Sequence, residues 1–348
     1  MGGELCVGSV NHDSKNVSIG NPGPKIGPVT KKAASNSCSL CGRWIAGLLA
    51  FANAALMDAT AAERTGTNLG TTSFFDGFAG VEPGCTYIQY LGYDAFSTVN
   101  GPGGGKAFDA QLEVGYAVTQ FTCNSPYKLF GATLGWDTNI PVSGQSSNFF
   151  STNGAGVGDV ITGPYVQFPP VKSNGREVFS QGFEFDIIAA TGKYDASKTI
   201  NPGNDFWSIN PFWKATWLPA SSWEVSWRLN YIHNFDHLST PNAAGPGGAS
   251  VLRNGDGVWL NFAASHELFK DFYFGLNGYW LKQLSGDTGL NGVKLPGTQQ
   301  ESLYIGPGFH YMMDSKNTVN VNLYFPVRDV NAPSGGYQVN LQYIHPLN

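Results

Sequence analysis

Alternation of apolar and polar residues is the feature that most restricts the folds open to this chain. Within residues 223–231 the odd positions are apolar or aromatic, and the even positions are Glu224, Ser226, Arg228 and Asn230. A period of two predicts a β-strand with one apolar and one polar face. In a soluble β-sandwich the apolar face would form the core. In a membrane barrel it would face lipid, and the polar face would line a wet lumen.

The same alternation recurs along the chain, separated by Gly, Pro, Asn and Asp. Together with weaker segments it predicts about 12 strands, with 14 as the alternative, each long enough to cross a bilayer. Short connections such as 270–271 alternate with long ones such as 139–157 and 239–256. The predicted fold is all-β, a transmembrane antiparallel up-and-down β-barrel. The clearest alternating segments are 108–118, 182–188, 209–217, 223–231, 258–268, 271–283 and 317–325.

Composition favours the membrane barrel over the sandwich. Charged residues make up 13% of the chain, against about 25% in soluble domains. The longest apolar run, 44–57, is too short for a membrane helix and is followed by a small-x-small motif that ends at Ala61. We therefore predict a signal peptide within a leader spanning 1–61, with Val29 as a possible true start and a barrel domain from 62 to 348. The alternative is a buried helix of a soluble domain. Export predicts the outer membrane of a Gram-negative bacterium.

Several classes of function receive no support from the sequence. The formal net charge of −5 and the absence of a basic cluster argue against nucleic-acid binding. His233 and His237 form the one local histidine cluster, but on a strand they lie about 13 Å apart, too far to share a metal. We read them as residues at a barrel rim. The sequence predicts no enzyme activity, no catalytic residue, no cofactor and no metal site.

The polar faces supply the candidate functional residues. Two interpretations stay open for them: a paired network that fills a narrow barrel, or a selective path in which aromatic residues hold the substrate and charges orient it. The predicted lumen residues are Asp109, Glu113, Glu184, Asp186, Lys214, Glu224, Arg228, Glu267, Tyr273, Asn277 and Tyr279.

Two cysteines, Cys85 and Cys123, follow the predicted leader. If the strands around them form a hairpin centred near residue 104, paired positions add to about 208, and these cysteines face each other. A disulfide is then feasible in an oxidising compartment. Two separate free thiols are the alternative, because a one-residue bulge would turn the side chains to opposite faces.

Six segments, taken together and in order, resemble the outer-membrane family named for the meta-pathway of phenol degradation, which is related to fatty-acid and aromatic-hydrocarbon channels. The resemblance implies a porin-like barrel for passive uptake of small hydrophobic or aromatic compounds. The implied partners are outer-membrane lipid, the substrate and the barrel-assembly machinery. A structural or adhesive barrel with ligand-binding loops is the alternative function, and an outer-membrane hydrolase is the third. The segments are 80–95, 156–168, 182–195, 201–219, 277–287 and 303–313.

Overall fold

The computed structural model describes residues 67–239 and 251–347, which fold mainly as antiparallel β-strands. The predicted leader, residues 1–61, lies outside the described residues, so its signal peptide and cleavage site stay predictions. Within the two described ranges, no helix combines the length and apolar character needed to span a bilayer.

Within the described residues, twelve long strands form one closed barrel, and five short strands accompany them. Each long strand pairs with the next one along the chain, and the first strand also pairs with the last. The predicted up-and-down barrel of 12 strands is therefore confirmed. The long strands are β1 (Gly84–Asn100), β2 (Lys106–Leu129), β3 (Ala132–Ser147), β5 (Val160–Gln167), β7 (Arg176–Ala189), β8 (Ser208–Ala220), β9 (Trp223–Asn234), β11 (Gly257–Phe269), β12 (Phe272–Gln283), β14 (Glu301–Met312), β15 (Thr318–Val330) and β17 (Tyr337–Pro346). The short ones are β4 (Gly156–Val157), β6 (Val171–Ser173), β10 (Val251–Arg253), β13 (Thr288–Gly289) and β16 (Ala332–Ser334).

The apolar faces of the strands look outward. In β9, Trp223 is 48% exposed, whereas Glu224 is fully buried inside the barrel. A soluble protein rarely leaves so much contiguous apolar surface open, but lipid covers it in a membrane barrel. The predicted sidedness of this strand is therefore confirmed. Other outward-facing apolar side chains include Leu91, Phe121, Trp136, Ile140, Phe183, Phe185, Ile187, Trp217, Leu229, Phe274, Leu276 and Phe325.

The two rims of the barrel differ in the length of their connections. One rim carries the start of β1, the end of β17 and tight turns such as 221–222 and 270–271. We call it the turn end. The other rim carries the connections 148–159, 190–207 and 284–300 and the described residues 235–239 and 251–256, and we call it the loop end. In outer-membrane barrels short turns face the periplasm and long loops face outward.

Strand boundaries on one side of the barrel differ from the sequence prediction. The predicted strand near 127–138 is divided by a tight turn at Phe130 and Gly131, and β3 continues to Ser147 into the predicted loop 139–157. The second half of β3 ends in the sequence SGQSS, a composition typical of loops. Its backbone nevertheless pairs with β2, as in the pair Tyr116 and Ser143, because ladder hydrogen bonds do not require apolar side chains.

Cys85 and Cys123 are register partners in β1 and β2. Their sulfur atoms are bonded at 2.11 Å, and their Cα atoms lie 4.1 Å apart. The turn between the strands spans 101–105, so the hairpin is centred where the sequence analysis placed it. The disulfide joins the two strands at the turn end, directly after the chain leaves the barrel interior.

Candidate functional site

The inner wall of the barrel is lined mostly by amides and hydroxyls, with a few charged groups. Each strand contributes every second residue to this wall, so the polar set follows directly from the alternation in the sequence. The amide lining is the most regular part. Its buried asparagines are Asn210, Asn230, Asn261, Asn277, Asn320, Asn322 and Asn340.

Nine of the predicted lumen residues belong to the inner wall of the structure. Among them, Lys214 lies 3.7 Å from Glu184, and both side chains are largely shielded from solvent. Glu224 accepts hydrogen bonds from Ser226 and from Ser265. The nine are Glu184, Asp186, Lys214, Glu224, Arg228, Glu267, Tyr273, Asn277 and Tyr279.

The prediction was wrong for Asp109 and Glu113, which are exposed on the outer face of β2. The inner positions between and beyond them are Ala110, Leu112 and Val114, all at most 5% exposed. Near the loop end the outer face can carry charge, while the inner face packs against apolar groups inside the barrel. The usual relation between polarity and face is thus reversed at this end of β2.

Residues 67–83, which we call the lumen segment, run inside the barrel from the loop end to the turn end. Thr67 borders a cavity of about 30 Å³ together with Gly257 and Gln283, which are at strand ends of the loop end. At the other end of the segment, the carbonyl of Val81 accepts a hydrogen bond from Thr133 near the start of β3. The segment therefore crosses the interior between the two rims.

The part of the lumen segment near the loop end is fixed at Gly70. Its amide donates to Oδ1 of Asn261 at 3.2 Å, and its carbonyl accepts from the hydroxyl of Tyr324 at 2.7 Å and from Asn340 at 3.0 Å. Gly70 has φ of 65°, and a Cβ there would lie 2.7 Å from the ring of Tyr324. Only glycine satisfies both the backbone conformation and the close contact.

An ion pair fixes the middle of the segment. Arg228 on the wall donates to Asp76 through Nε at 2.8 Å and through Nη2 at 2.6 Å. Both side chains are about 10% exposed. The guanidinium also lies 4.4 Å from the centre of the Phe212 ring. A two-point contact of this kind is among the strongest polar contacts that proteins form.

Neighbouring backbone groups add to this anchor. The amide of Phe75 donates to Glu224 at 3.0 Å, and the amide of Gly77 donates to Thr216 at 2.8 Å. The Phe75 ring packs against Tyr273 and His310, with ring centres 4.9 Å and 4.5 Å apart. The adjacent strands β8 and β9 therefore hold this part of the segment by hydrogen bonds, and β12 and β14 contact it through aromatic rings.

An aromatic cluster lines the interior beside the part of the lumen segment near the loop end. Tyr279 and Tyr304 stack with ring centres 5.0 Å apart, and Tyr324 meets Tyr279 edge-on at 5.8 Å. Phe96 and Leu112 belong to the same buried cluster, and Leu69 of the lumen segment packs against it. This region combines apolar ring faces with hydroxyl groups.

The predicted rim histidines lie at the loop end. Nδ1 of His233 is 2.9 Å from Asp256, and Nδ1 of His237 is 3.9 Å from Asp205. The His237 ring packs against Phe206 with ring centres 4.8 Å apart. Burial lowers the pKa of His237 below its ordinary value of about 6.5, and this effect outweighs the nearby carboxylate.

The sequence analysis did not identify the lumen segment or its contacts, among them Asp76 and His310. The segment "TTSFFDGFAG" (71–80) has no strand periodicity but contains three phenylalanines and one charge. The phenylalanines in this glycine-rich stretch before the first strand were the available signal that it is buried, because a segment exposed to water is seldom rich in phenylalanine.

Comparisons with known proteins found a matching family model and similar solved structures. A family model described as "Putative MetA-pathway of phenol degradation" matches residues 94–342. The structure is similar to the COG4313 outer membrane channel from Pseudomonas putida F1, with a TM-score of 0.64, 13% identity, and coverage of 78% of this chain and 98% of that chain. A more distant similarity is to the P. putida toluene transporter TodX, with a TM-score of 0.40, 8% identity, and coverage of 84% and 99%. No curated protein matches the sequence.

Proposed function

Because the chain belongs to the family described as the putative MetA-pathway of phenol degradation, we propose that it is an outer-membrane channel for passive entry of small hydrophobic or aromatic compounds. The barrel fold, the outward apolar faces and the difference between the two rims support placement in an outer membrane.

The observation that carries this proposal is the non-covalent attachment of the lumen segment beside an aromatic wall. Hydrogen bonds at Gly70, Phe75 and Gly77, one ion pair at Asp76 and further hydrogen bonds along residues 68–82 hold it. Each hydrogen bond contributes only about 0.5–1.5 kcal/mol net, because the groups find water when released. Transport requires the segment to leave its place while the barrel stays folded, and non-covalent contacts permit this.

The tyrosine cluster favours substrates that carry an aromatic ring. Tyr279, Tyr304 and Tyr324 offer ring faces for stacking, and the hydroxyl of Tyr324, which donates to the carbonyl of Gly70, becomes available to a polar substituent when the segment moves. The cluster is covered by Leu69 and Gly70. Movement of the lumen segment would expose these rings along the path between the two rims.

A structural barrel whose loops bind something outside is the second candidate. The observation that favours it is the filled interior: the described part of the lumen contains the segment and a cavity of about 30 Å³, room for one or two waters. In that case the interior contacts serve stability alone, and the connections at the loop end carry the function.

Uptake by whole cells separates the two candidates. Cells that produce the protein and cells with an empty vector are given radiolabelled toluene, phenol or a disaccharide. We expect faster uptake of the two aromatic compounds with the protein present and unchanged uptake of the disaccharide. Uptake of all three compounds at the rates of the empty-vector cells, with the barrel present in the outer membrane, would favour the structural barrel.

A further inference from the structure

A group of charged residues lies on the outer wall at the loop end, where no lumen function requires it. Lys282 is the penultimate residue of β12, Glu301 is the first residue of β14, and Arg328 lies near the end of β15. Lys282 and Glu301 are register partners. Nε of Arg328 is 3.2 Å from Glu301, and Nε1 of Trp280 donates to the same carboxylate at 3.2 Å. Two cations therefore flank one carboxylate.

A β-bulge puts Arg328 on this outer wall. Tyr304 pairs with Pro326, but the preceding residue, Leu303, pairs with Arg328, so β15 has one extra residue here. Without the bulge, Arg328 would face the lumen, since Phe325 faces outward and strand residues alternate. Bulges often re-aim a side chain in this way.

The cations retain capacity to bind an anion. The Arg328 side chain is 57% exposed, and its hydrogen bond to Glu301 uses Nε. Among the described residues its terminal amino groups form no hydrogen bond, and Lys282 is exposed and forms no ion pair within 4.0 Å. The group has a net charge of +1, with donors free for a phosphate, which pairs well with guanidinium.

The surface next to the cations toward the turn end is apolar. Val327 is 60% exposed and Phe325 is 47% exposed, on the same strand as Arg328. Trp280, half-buried, lies two residues before Lys282, in the position of an interfacial aromatic residue. An anion-binding group next to an apolar wall matches a lipid headgroup with its acyl chains. A free phosphate has no apolar part that could contact the wall.

We propose that Lys282 and Arg328 bind the phosphate groups of a phosphorylated glycolipid of the outer leaflet, with its acyl chains against Phe325 and Val327. The proposal rests on the outer-membrane placement proposed above, but it is independent of transport. Basic groups near a membrane surface bind lipid headgroups in this way.

Binding of diphosphoryl lipid A to the purified full-length protein in detergent tests the proposal, with the apparent Kd measured by native mass spectrometry. The variant Lys282→Gln with Arg328→Gln should weaken binding at least about tenfold, because two charge-assisted contacts are lost. The control is Lys172→Gln with Lys270→Gln, which removes the same charge from exposed positions at the turn end. It should match the wild type.

Two further arms identify the bound chemistry. Dephosphorylated lipid A should bind the wild type as weakly as lipid A binds the Lys282→Gln, Arg328→Gln variant, and millimolar inorganic phosphate should not displace lipid A. If the affinity for lipid A falls less than twofold in that variant, or falls equally in the control, the proposed site is wrong. Displacement by inorganic phosphate would overturn the glycolipid as its occupant. Uptake of aromatic compounds is measured separately, so failure of either proposal is recognisable.

Discussion

The ion pair between Asp76 and Arg228 gives the most direct prediction about the lumen segment. The change Asp76→Asn keeps the shape of the side chain and removes its charge, which leaves the Arg228 cation buried beside Phe212. Breaking a buried pair by removing one partner costs about 3–5 kcal/mol. Because both side chains keep about 10% exposure, we take the lower figure, about 3 kcal/mol, for the free energy of docking the segment. Release of the segment should then become about 100-fold more frequent.

Hydrogen exchange of the backbone amides of Phe75 and Gly77 measures this release, since both donate to side chains of the wall. In Asp76→Asn their protection should fall about 100-fold. The control is Lys214→Met, which breaks an ion pair between two wall residues and should leave the two amides within about threefold of the wild type. If protection of the two amides falls less than tenfold in Asp76→Asn, or falls equally in the control, the ion pair does not anchor the segment.

Three further predictions concern the wall and the loops. Trp227 lies about 13 Å along the strand from Trp223 at the turn end, so Trp227→Arg should lower the unfolding free energy in lipid vesicles by about 2–4 kcal/mol and Trp223→Arg by about 0–1 kcal/mol; equal losses would contradict the lipid-facing wall. Folded, non-reduced protein from which residues 1–61 have been removed should gain no mass from a thiol-alkylating reagent, because the sulfur atoms of Cys85 and Cys123 are bonded; two adducts would show free thiols. Because burial lowers the pKa of His237, its neutral form stabilises the loop packing above about pH 6.5 and this contribution is lost as the pH falls toward the lowered value. Intrinsic-rate-corrected hydrogen exchange of residues 190–207 should therefore accelerate from pH 7 to pH 5 in the wild type and not in His237→Gln; the same acceleration in both would exclude His237 as its cause.

The barrel could be predicted from sequence because its evidence is local and repeated. Alternation in residues 223–231 specifies a two-faced strand, and the same pattern in other segments gives the strand number. The prediction that apolar faces look outward and polar faces inward was correct where a strand crosses the membrane. It failed for Asp109 and Glu113, because alternation shows which residues share a face and not which medium that face meets. At the loop end the outer medium is no longer lipid.

The lumen segment could not be predicted in the same way. Its structure is set by contacts distant in sequence, such as Asp76 with Arg228 and Gly70 with Tyr324, which lie 152 and 254 residues apart. No periodicity within the segment encodes these partners. The bulge that turns Arg328 outward is equally invisible, since one extra residue in a strand leaves the local composition unchanged.

If aromatic compounds pass only when the lumen segment leaves its place, a reversible lock, an engineered disulfide between the segment and the wall, must stop their uptake. Oγ of Ser73 is 3.0 Å from Oδ1 of Asn322 on the wall, so we expect cysteines at both positions to form a disulfide that holds the segment. Toluene uptake is measured in cells producing the oxidised Ser73→Cys, Asn322→Cys protein, before and after a membrane-permeant reductant. Wild-type cells with and without reductant control for the bond between Cys85 and Cys123. We expect no uptake above the empty vector until the lock is reduced, and then the wild-type rate. Equal, rapid uptake by the locked and reduced forms would contradict it.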